Sequence, residues 1–356
     1  MFFRKSGPLI GLDIGSHSVK VVELRPSRNG HALAYLGVAP LPPDAIVDGA
    51  ILNAGAVVEA IRALLANNNI RTRDVAASVS GHSVIIKKIS LPAMTKEELE
   101  EQIQWEAEQY IPFDINDVNI DFQILTSEFE TDGKMDVLLV AAKKEMVSEH
   151  VHVINEAGLR PLIIDVDAFA VETMFERGYT PNPNEAFALV NAGASVINIS
   201  VIRNNLPSFT RDIASGGKQY TEEIQKTLHI GFQEAESIKM GGNPSGVSGK
   251  EILPQEVDQA MRGVSENLAS EIQRSLEFFS ATAPDDRISR IFLTGGCARM
   301  QGFPDVIEEK TRIPVEVADP FRGIECSDKQ FDLEYLREIG PSMGVGVGLA
   351  LRKAGA

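Results

Sequence analysis

The sequence predicts an α/β protein built from two related halves. Apolar segments with strand character alternate with segments of helical periodicity, which is typical of an α/β architecture. A weak internal repeat relates residues 9–22 to residues 188–199. Each copy has a short apolar strand, a carboxylate or amide, a glycine, small polar residues and a second strand. The offset from Asp13 to Asn191 is 178 residues, half of the 356 in the chain, which predicts two similarly folded lobes.

Length and charge narrow the class of protein. A chain of 356 residues is long enough for two cores. Its 50 acidic and 34 basic residues give a formal net charge of -16, which disfavours nucleic acid and direct adhesion to anionic lipid. The sequence has no apolar run of roughly 18 residues, no signal-peptide core at its start, and only two cysteines without a metal or disulfide pattern. We therefore expect a cytoplasmic protein that reaches a membrane only through partners.

Turn residues and apolar periodicity define the elements of the first half. A capping box of Thr95 and Glu98 opens a helix with the apolar stripe Leu99, Ile103, Ala107 and Tyr110, which ends before Pro112. The Pro-rich stretch 179–184 predicts the boundary between the lobes. The other predicted elements are helix 53–67, strands 75–80, 84–89 and 135–142, helix 145–157, strand 162–165 and helix 167–177.

The second half continues the alternation after its own strand pair. Two helices are separated by Gly231, and a long amphipathic helix follows an exposed, glycine-rich loop. The last predicted strand ends in Gly295 and Gly296. These elements are helices 220–228 and 232–240, loop 241–249, helix 257–279 and strand 291–294.

Three strand ends share glycine and small polar residues, at 13–18, 191–195 and 293–298. Glycine in a tight turn lets backbone N–H groups approach an anion, and nearby hydroxyls add donors. Two such turns that face each other could clasp a polyphosphate. Asp13 suits a hydrated Mg²⁺, and Lys20 would return toward the phosphates if its two strands form a hairpin. Each turn alone is more often only a turn, and the Walker and Rossmann patterns are absent from the sequence.

Taken in order, the three turns resemble the phosphate-1, phosphate-2 and adenosine motifs of the actin, Hsp70 and hexokinase ATPase superfamily. Within it, the chain is similar to the PilM family of type IV pilus assembly and to the cell-division protein FtsA. FtsA-like proteins usually end in a membrane-targeting amphipathic helix, for which residues 351–356 leave no room, so the PilM family is the better match. The resemblance lies in residues 11–16, 94–113, 165–170, 271–279 and 344–351.

The resemblance implies an actin-like ATPase fold, in which two RNase H-like lobes hold ATP and Mg²⁺ in the cleft between them. An FtsA-type subdomain is inserted in the first lobe. The implied bounds are 1–80 and 161–184 for the first lobe together with a C-terminal helix at 341–356, 81–160 for the inserted subdomain, and 185–340 for the second lobe.

The same resemblance implies roles for individual residues. Asp13 would hold the metal through water, and Asp13, Asp165 and Asn191 are the candidate catalytic positions. Asn191 stands where the superfamily has Asp, and an amide cannot accept a proton as a base, so we expect binding with slow or no hydrolysis. The implied nucleotide contacts are Asp13, Gly15, Ser16, Ser18, Lys20, Gly193, Ala194, Ser195, Gly216, Glu223, Lys239, Gly295, Gly296 and Ala298.

The resemblance also implies partners. An ATP-binding hub of this kind docks the amino-terminal peptide of the inner-membrane pilus protein PilN and communicates with the pilus assembly motor ATPases, at the cytoplasmic face of the inner membrane. Oligomerisation is compatible with this. Two other functions stay open, a small-molecule kinase on the same fold and an FtsA-like filament former.

Two features of the predicted helix after Thr95 leave alternatives open. Trp105, the only tryptophan, lies off the apolar stripe, so it either faces a groove for a partner peptide or packs into a second buried face. The acidic residues Glu97, Glu98, Glu100 and Glu101 form a solvated helix face or dock a basic partner. In the first glycine turn, His17 either approaches phosphate or is a surface histidine.

Overall fold

The computed structural model describes residues 9–28, 30–125, 133–182, 184–242, 255–283 and 286–353. Most of the predicted loop 241–249 lies outside these ranges, as do the amino-terminal residues 1–8 and the last three residues of the predicted C-terminal helix.

The described chain alternates strands and helices, as the sequence predicts. The strands are β1 (Ile10–Ile14), β2 (Ser18–Ser27), β3 (Gly30–Pro40), β4 (Ile46–Val47), β5 (Ala50–Ile51), β6 (Asp74–Val79), β7 (Val84–Pro92), β8 (Val118–Ile124), β9 (Lys134–Lys143), β10 (Arg160–Val166), β11 (Ala186–Ala192), β12 (Ile197–Arg203), β13 (Leu206–Ile213), β14 (Ile288–Thr294), β15 (Val315–Val317) and β16 (Ile324–Glu325). The helices are α1 (Ala54–Asn67), α2 (Lys96–Glu108), α3 (Lys144–Glu156), α4 (Asp167–Gly178), α5 (Lys218–Leu228), α6 (Phe232–Lys239), α7 (Gln255–Thr282), α8 (Phe303–Thr311), α9 (Leu333–Ile339) and α10 (Gly344–Leu351).

The two large sheets have the same strand order. The first is β10-β6-β1-β2-β3, with the short β16 beside β3, and the second is β15-β14-β11-β12-β13. In each sheet an antiparallel hairpin is followed by an antiparallel third strand, and parallel strands extend the other side. The register repeats as well, because Asp13 pairs with Lys20 and Asn191 pairs with Asn198. Two related lobes, predicted from the internal repeat, are confirmed.

Each lobe has an apolar core of its own, and a third apolar core joins the two lobes. One lies between the first sheet and the helices α1 and α3, and a second lies between the second sheet and α5 to α8. The third fills the space between the two sheets around α4 and α10. Its aromatic centre includes Phe175, whose ring stacks on Tyr179 at 4.6 Å and lies 4.6 Å from the ring of Phe292. The lobes therefore share an apolar interior and are not joined by a linker alone.

The inserted unit is a three-stranded sheet, β7-β9-β8, covered on one face by α2. The predicted capping box is present, because Glu98 N donates to Thr95 Oγ1 and Thr95 N donates to Glu98 Oε2. The helix α3 packs against the first lobe, where Val153 and Ile154 join the core beside α1. The bounds 81–160 for the whole insertion stay a prediction.

Helix α10 is buried between the lobes. A Cβ atom on Gly348 would overlap the carbonyl oxygen of Ala170 in α4, and one on Gly11 would overlap the carbonyl oxygen of Gly346. The backbone of α10 therefore lies directly against β1 and α4, an approach that a larger residue would prevent. Among the described helices, none is long and apolar enough to cross a membrane.

The close approach of α10 to α4 gives a direct test. We expect Gly348→Ala to lower the free energy of unfolding by about 2 kcal/mol or more, because the added methyl group has no space. Gly263→Ala is the matched control, since this exposed glycine of α7 has no atom within 4 Å of an added Cβ, and alanine there raises helix stability by up to about 1 kcal/mol. Urea denaturation measures both changes, and equal stabilities of the two variants would contradict the packing argument.

Candidate functional site

A cavity of about 460 Å³ lies between the lobes, where β1, β6, β11 and β14 end. These strands are mutually parallel within each sheet, so their carboxyl ends meet at one edge of each lobe. Ligands of open α/β sheets bind at such an edge, and small-molecule pockets of proteins occupy about 300–1,000 Å³. The size and place of the cavity therefore suit a small ligand held between the lobes.

The first wall of the cavity is the turn between β1 and β2. Gly15 N donates to the carbonyl oxygen of Ser18 at 3.1 Å, which closes the turn. The predicted hairpin brings Lys20 back beside the strand that precedes the turn, and its Nζ donates to Asp13 Oδ2 at 2.8 Å. Asp13 is buried, so this ion pair neutralises a carboxylate that has little contact with water.

The second wall is the equivalent turn between β11 and β12. Gly193 N donates to the carbonyl oxygen of Val196 at 2.9 Å, as in the first turn. In place of an ion pair, Asn191 Nδ2 donates to Asn198 Oδ1 at 2.9 Å. The two turns meet across the cavity, where the hydroxyls of Ser16 and Ser195 lie 2.8 Å apart.

A chain of hydrogen bonds leads from this second wall to the inserted unit. Asn198 Nδ2 donates to Asp212 Oδ1 at 2.8 Å, and Asp212 Oδ2 accepts from Gly81 N at 2.7 Å. Gly81 lies between β6 and β7, where the inserted unit begins. Burial raises the pKa of Asp212, opposed by its hydrogen bonds from Asn198 and Gly81.

Helix α6 supplies the third wall. Lys239 is almost fully buried and its Nζ contacts Glu236 Oε1 at 2.5 Å and Thr221 Oγ1 at 3.0 Å. Across the cleft, His17 Nδ1 lies 4.0 Å from the same Glu236 carboxylate. A cation and an anion thus face the cavity together, three residues apart on one helix.

Asp167 is the carboxylate that sequence reasoning missed. It begins α4 and lines the cavity, where its Oδ1 accepts from Ser78 Oγ at 2.5 Å. Loss of water around the carboxylate raises its pKa to about 6, and the nearby charge of Asp13 acts in the same direction. The sequence pointed instead to Asp165, which lies outside the cavity lining and accepts a 2.6 Å hydrogen bond from Arg352 Nε. The alternation of β10 does not separate the two carboxylates, because residues two apart share a face of a strand and Asp167 already begins α4.

The structure brings most of the predicted site residues together. Four lie outside the lining: besides Asp165, these are Gly216, which packs against the backbone of the second turn, Glu223, whose carboxylate is 3.4 Å from Lys226 Nζ, and Ala298, which is buried in a 3₁₀ turn. The sequence also missed other polar residues of the lining, among them Ser78, Asp167, Glu236 and Arg299. The predicted residues that line the cavity are Asp13, Gly15, Ser16, Ser18, Lys20, Asn191, Gly193, Ala194, Ser195, Lys239, Gly295 and Gly296.

The groups around the cavity suit an anion better than a bare metal ion. The two glycine turns present backbone and hydroxyl donors, and Lys20 and Lys239 supply ammonium groups that are paired in the structure with Asp13 and Glu236. The part of the chain that the structure describes contains no group of three or more His, Cys, Asp or Glu side chains with metal-binding geometry. Mg²⁺ commonly binds through one or two carboxylates together with waters and substrate phosphates, and Asp13 offers one such carboxylate.

Comparison with known proteins places the chain among pilus assembly proteins. A family model described as "Type IV pilus assembly protein PilM" matches residues 11–354. A solved structure described as "PilM-PilN type IV pilus biogenesis complex" is 30% identical, with a TM-score of 0.86 and 98% of each chain covered.

More distant similarities agree with this fold. The cell division protein FtsA of Streptococcus pneumoniae is 22% identical over 353 residues, which cover 89% of this chain and 76% of that protein. The ethanolamine utilization protein EutJ of Carboxydothermus hydrogenoformans has a TM-score of 0.56 at 16% identity, over 98% of this chain and 92% of that one. The actin-like fold predicted from the sequence is confirmed.

The raised pKa of Asp167 predicts how stability depends on pH. A carboxyl group with a folded-state pKa near 6 and an ordinary unfolded pKa near 3.8 favours folding while it is protonated, and this contribution is lost as the pH rises from about 4 to about 6. Asp167→Asn removes the ionisation and keeps an acceptor for Ser78. We therefore expect the variant to gain stability relative to the wild type across this window, reaching about 3 kcal/mol at pH 7.

Urea unfolding from pH 4 to pH 8 measures this difference. Asp258→Asn, a change of the same kind at an exposed position of α7, is the control and should follow the wild-type curve. Parallel curves for Asp167→Asn and the wild type would show that the carboxyl group titrates normally.

Proposed function

Because the chain belongs to the PilM family of type IV pilus assembly proteins, we propose that it is an ATP-binding, actin-like scaffold that docks the amino-terminal tail of PilN. In this proposal ATP and Mg²⁺ stabilise the closed arrangement of the lobes. PilN recruits the protein to the cytoplasmic face of the inner membrane. Contact with the assembly motor ATPases and oligomerisation remain predictions.

The observation that carries the nucleotide proposal is the meeting of the two glycine turns across the cavity. The hydroxyls of Ser16 and Ser195 already contact each other across the cavity. Both hydroxyls can turn to donate to phosphate oxygens instead, and the backbone N–H groups of the turns are free of Cβ obstruction at Gly15 and Gly193. Lys20 would hold the phosphates as a point charge, and Asp13 would then accept hydrogen bonds from metal-bound water. Bound Mg²⁺ would supply neutralisation of the phosphate charge.

Slow or absent hydrolysis follows from the groups that face the phosphates. The amide of Asn191 is committed to Asn198 and cannot take a proton from water. Asp167 can take one, because burial and the nearby charge of Asp13 raise its pKa, so the expectation of slow hydrolysis depends on Asn191. The site therefore suits a scaffold that is stabilised by its nucleotide.

Removal of the Lys20 charge tests nucleotide binding. We expect Lys20→Ala to weaken binding of a fluorescent ATP analogue with Mg²⁺ about tenfold or more, because a charge-assisted contact to phosphate is lost. Lys226→Ala is the control, because this lysine of α5 is exposed and lies outside the cavity. The affinity of this variant for the ATP analogue should match that of the wild type. Thermal unfolding without nucleotide shows whether the loss of the Asp13 ion pair disturbs the fold. Equal affinity in both variants would contradict the proposed site.

A turnover assay separately tests the proposal that the protein is a scaffold with slow or absent hydrolysis. We expect fewer than about one ATP hydrolysed per second by the purified protein. Faster hydrolysis that disappears in Asp13→Ala would identify an ATPase and would overturn this part of the proposal.

The surface that we propose for the PilN tail lies where the inserted unit meets the first lobe. A small buried cluster there contains Val79, Val84 and Met146. Apolar side chains from five elements surround it and are only partly buried, so they offer contact area to an apolar segment of a partner. These side chains are Ile86, Val140, Val147, Ile164 and Phe169.

The family assignment favours this hub over the two alternatives that the sequence left open. A small-molecule kinase needs a carboxylate base beside a substrate hydroxyl, and Asp167 lines the cavity with a raised pKa, so the family assignment and not the lack of a base disfavours this alternative. The similarity to FtsA is weaker in identity than the similarity to the PilM–PilN structure. The solved neighbour was described as a complex with PilN, which supports the choice of partner.

A charge placed on the proposed surface tests tail docking. We expect Ile86→Asp to weaken binding of a synthetic PilN amino-terminal peptide by at least about tenfold, because a carboxylate would be desolvated in the apolar contact. Phe278→Asp, which adds the same charge at an exposed aromatic residue of α7, is the control and should bind as the wild type does. Calorimetric titration measures the peptide affinity of both variants, with a scrambled peptide as the reference. If both variants bind equally well, the tail docks elsewhere.

A further inference from the structure

The outer face of α2 carries the most exposed large apolar side chain among the described residues. Trp105 is 76% exposed. It lies opposite the buried stripe of α2, formed by Leu99, Ile103 and Ala107, which packs on the inserted sheet. The structure thus excludes a second buried face as the place of the indole. An exposed tryptophan on a rigid helix is unusual and marks a contact site more often than a lone exposed leucine does.

Carboxylates surround the indole on the same face. Glu98 and Glu101 lie seven and four residues before Trp105, and Glu108 lies three residues after it. These spacings put all three within about 60° of Trp105 around the helix axis. All three are exposed, and within the described chain neither Glu101 nor Glu108 takes part in an ion pair. We call this set, Glu98, Glu101, Trp105 and Glu108, the Trp105 face.

The charge of this face selects the kind of partner. Three carboxylates repel anionic lipid and nucleic acid, which removes the usual role of an exposed tryptophan at a membrane surface. The protein itself carries a net charge of -16, so a second copy is a poor partner for an acidic face. The face of an indole attracts a cation, and a guanidinium stacks on it while it pairs with a carboxylate.

We propose that the Trp105 face is a docking surface for a basic segment of a partner protein, with an arginine over the indole and neighbouring basic residues paired with the carboxylates. Glu98 to Glu108 spans about 15 Å along the helix, the length of about five extended residues. The partner therefore needs only a short segment.

This docking surface is separate from the one proposed for the PilN tail. The helix α2 covers one face of the inserted sheet, and the apolar side chains Ile86 and Val140 point to the other face, toward the first lobe. The inserted unit can therefore hold two partners at once, and the failure of either proposal leaves the other intact.

The single tryptophan makes the face directly observable. The probe is a six-residue peptide of the sequence Arg-Leu-Arg-Arg-Leu-Arg, blocked at both ends, titrated into the full-length protein at physiological salt. We expect a saturable blue shift or quenching of tryptophan emission as the indole is covered. A peptide with lysine for arginine should bind more weakly, because lysine lacks the planar group that stacks. A peptide with glutamate for arginine should leave the emission unchanged.

Variants show whether binding depends on the indole and the neighbouring carboxylates. The affinity of each variant is measured by the fluorescence anisotropy of a labelled peptide. We expect Trp105→Ala to weaken binding about tenfold, with partial recovery in Trp105→Phe. We expect Glu101→Gln with Glu108→Gln to weaken it about fivefold. The matched control, Glu59→Gln with Glu334→Gln, removes the same charge from exposed positions of α1 and α9 and should change the affinity less than about twofold.

Three results would overturn the proposal. Equal weakening in the two double variants would mean that the peptide follows net charge and has no site on α2. An emission change with vesicles of anionic phospholipid would identify a membrane surface. Self-association that sedimentation detects in the wild type and that Trp105→Ala abolishes would identify a second copy as the occupant.

Discussion

The contact of α10 with β1 and α4 is the constraint on which the rest of the structure depends. At this contact backbone lies on backbone, with glycines where any side chain would collide. The segment that leads into α10 also holds the second lobe, because Gly295 N and Thr294 Oγ1 both donate to the carbonyl oxygen of Pro341 at 2.6 Å. The end of β14 and β1 at Gly11 are therefore held against the same C-terminal segment, residues 341–350. This fixes where the glycine turns of both lobes meet.

The two lobes place polar groups of different chemistry at equivalent positions of the cleft. In the first lobe an ion pair, Asp13 with Lys20, joins the hairpin strands, and in the second lobe two amides, Asn191 with Asn198, join them at the same register. Only the first arrangement contains charged groups, and a bound phosphate and metal ion can change how these groups are paired. The second arrangement is neutral and continues to the inserted unit through Asp212. One wall therefore contains the charged groups, and the other connects the cleft with the inserted unit.

The inserted unit gives the protein two dissimilar surfaces from one small sheet. Its inner side offers partly buried aliphatic groups beside the first lobe, and its outer helix offers an indole among carboxylates. An apolar tail and a basic segment therefore need not compete. The excess of acidic residues in the composition is also found locally in α2. Six of its thirteen residues are glutamates, and it contains only one lysine.

The sequence by itself determined the elements whose signals are local. The capping box of α2 and the long apolar stripe of α7 need only neighbouring residues, so they predicted helices. The repeat that relates Asp13 to Asn191 is visible by comparing two segments of the sequence, so it predicted the two lobes. Strands β3, β8 and β13 were missed. For β8 a local signal was present, because Val118–Ile124 alternates apolar and polar residues strictly. For β13, which has no regular alternation, the pairing with β12 decides the strand conformation. The choice of Asp167 over Asp165 and of Glu236 over Glu223 was also decided by tertiary structure. Which carboxylate enters the cleft depends on how β10, α4 and α6 pack, and the burial that raises the pKa of Asp167 exists only after both lobes have closed around it.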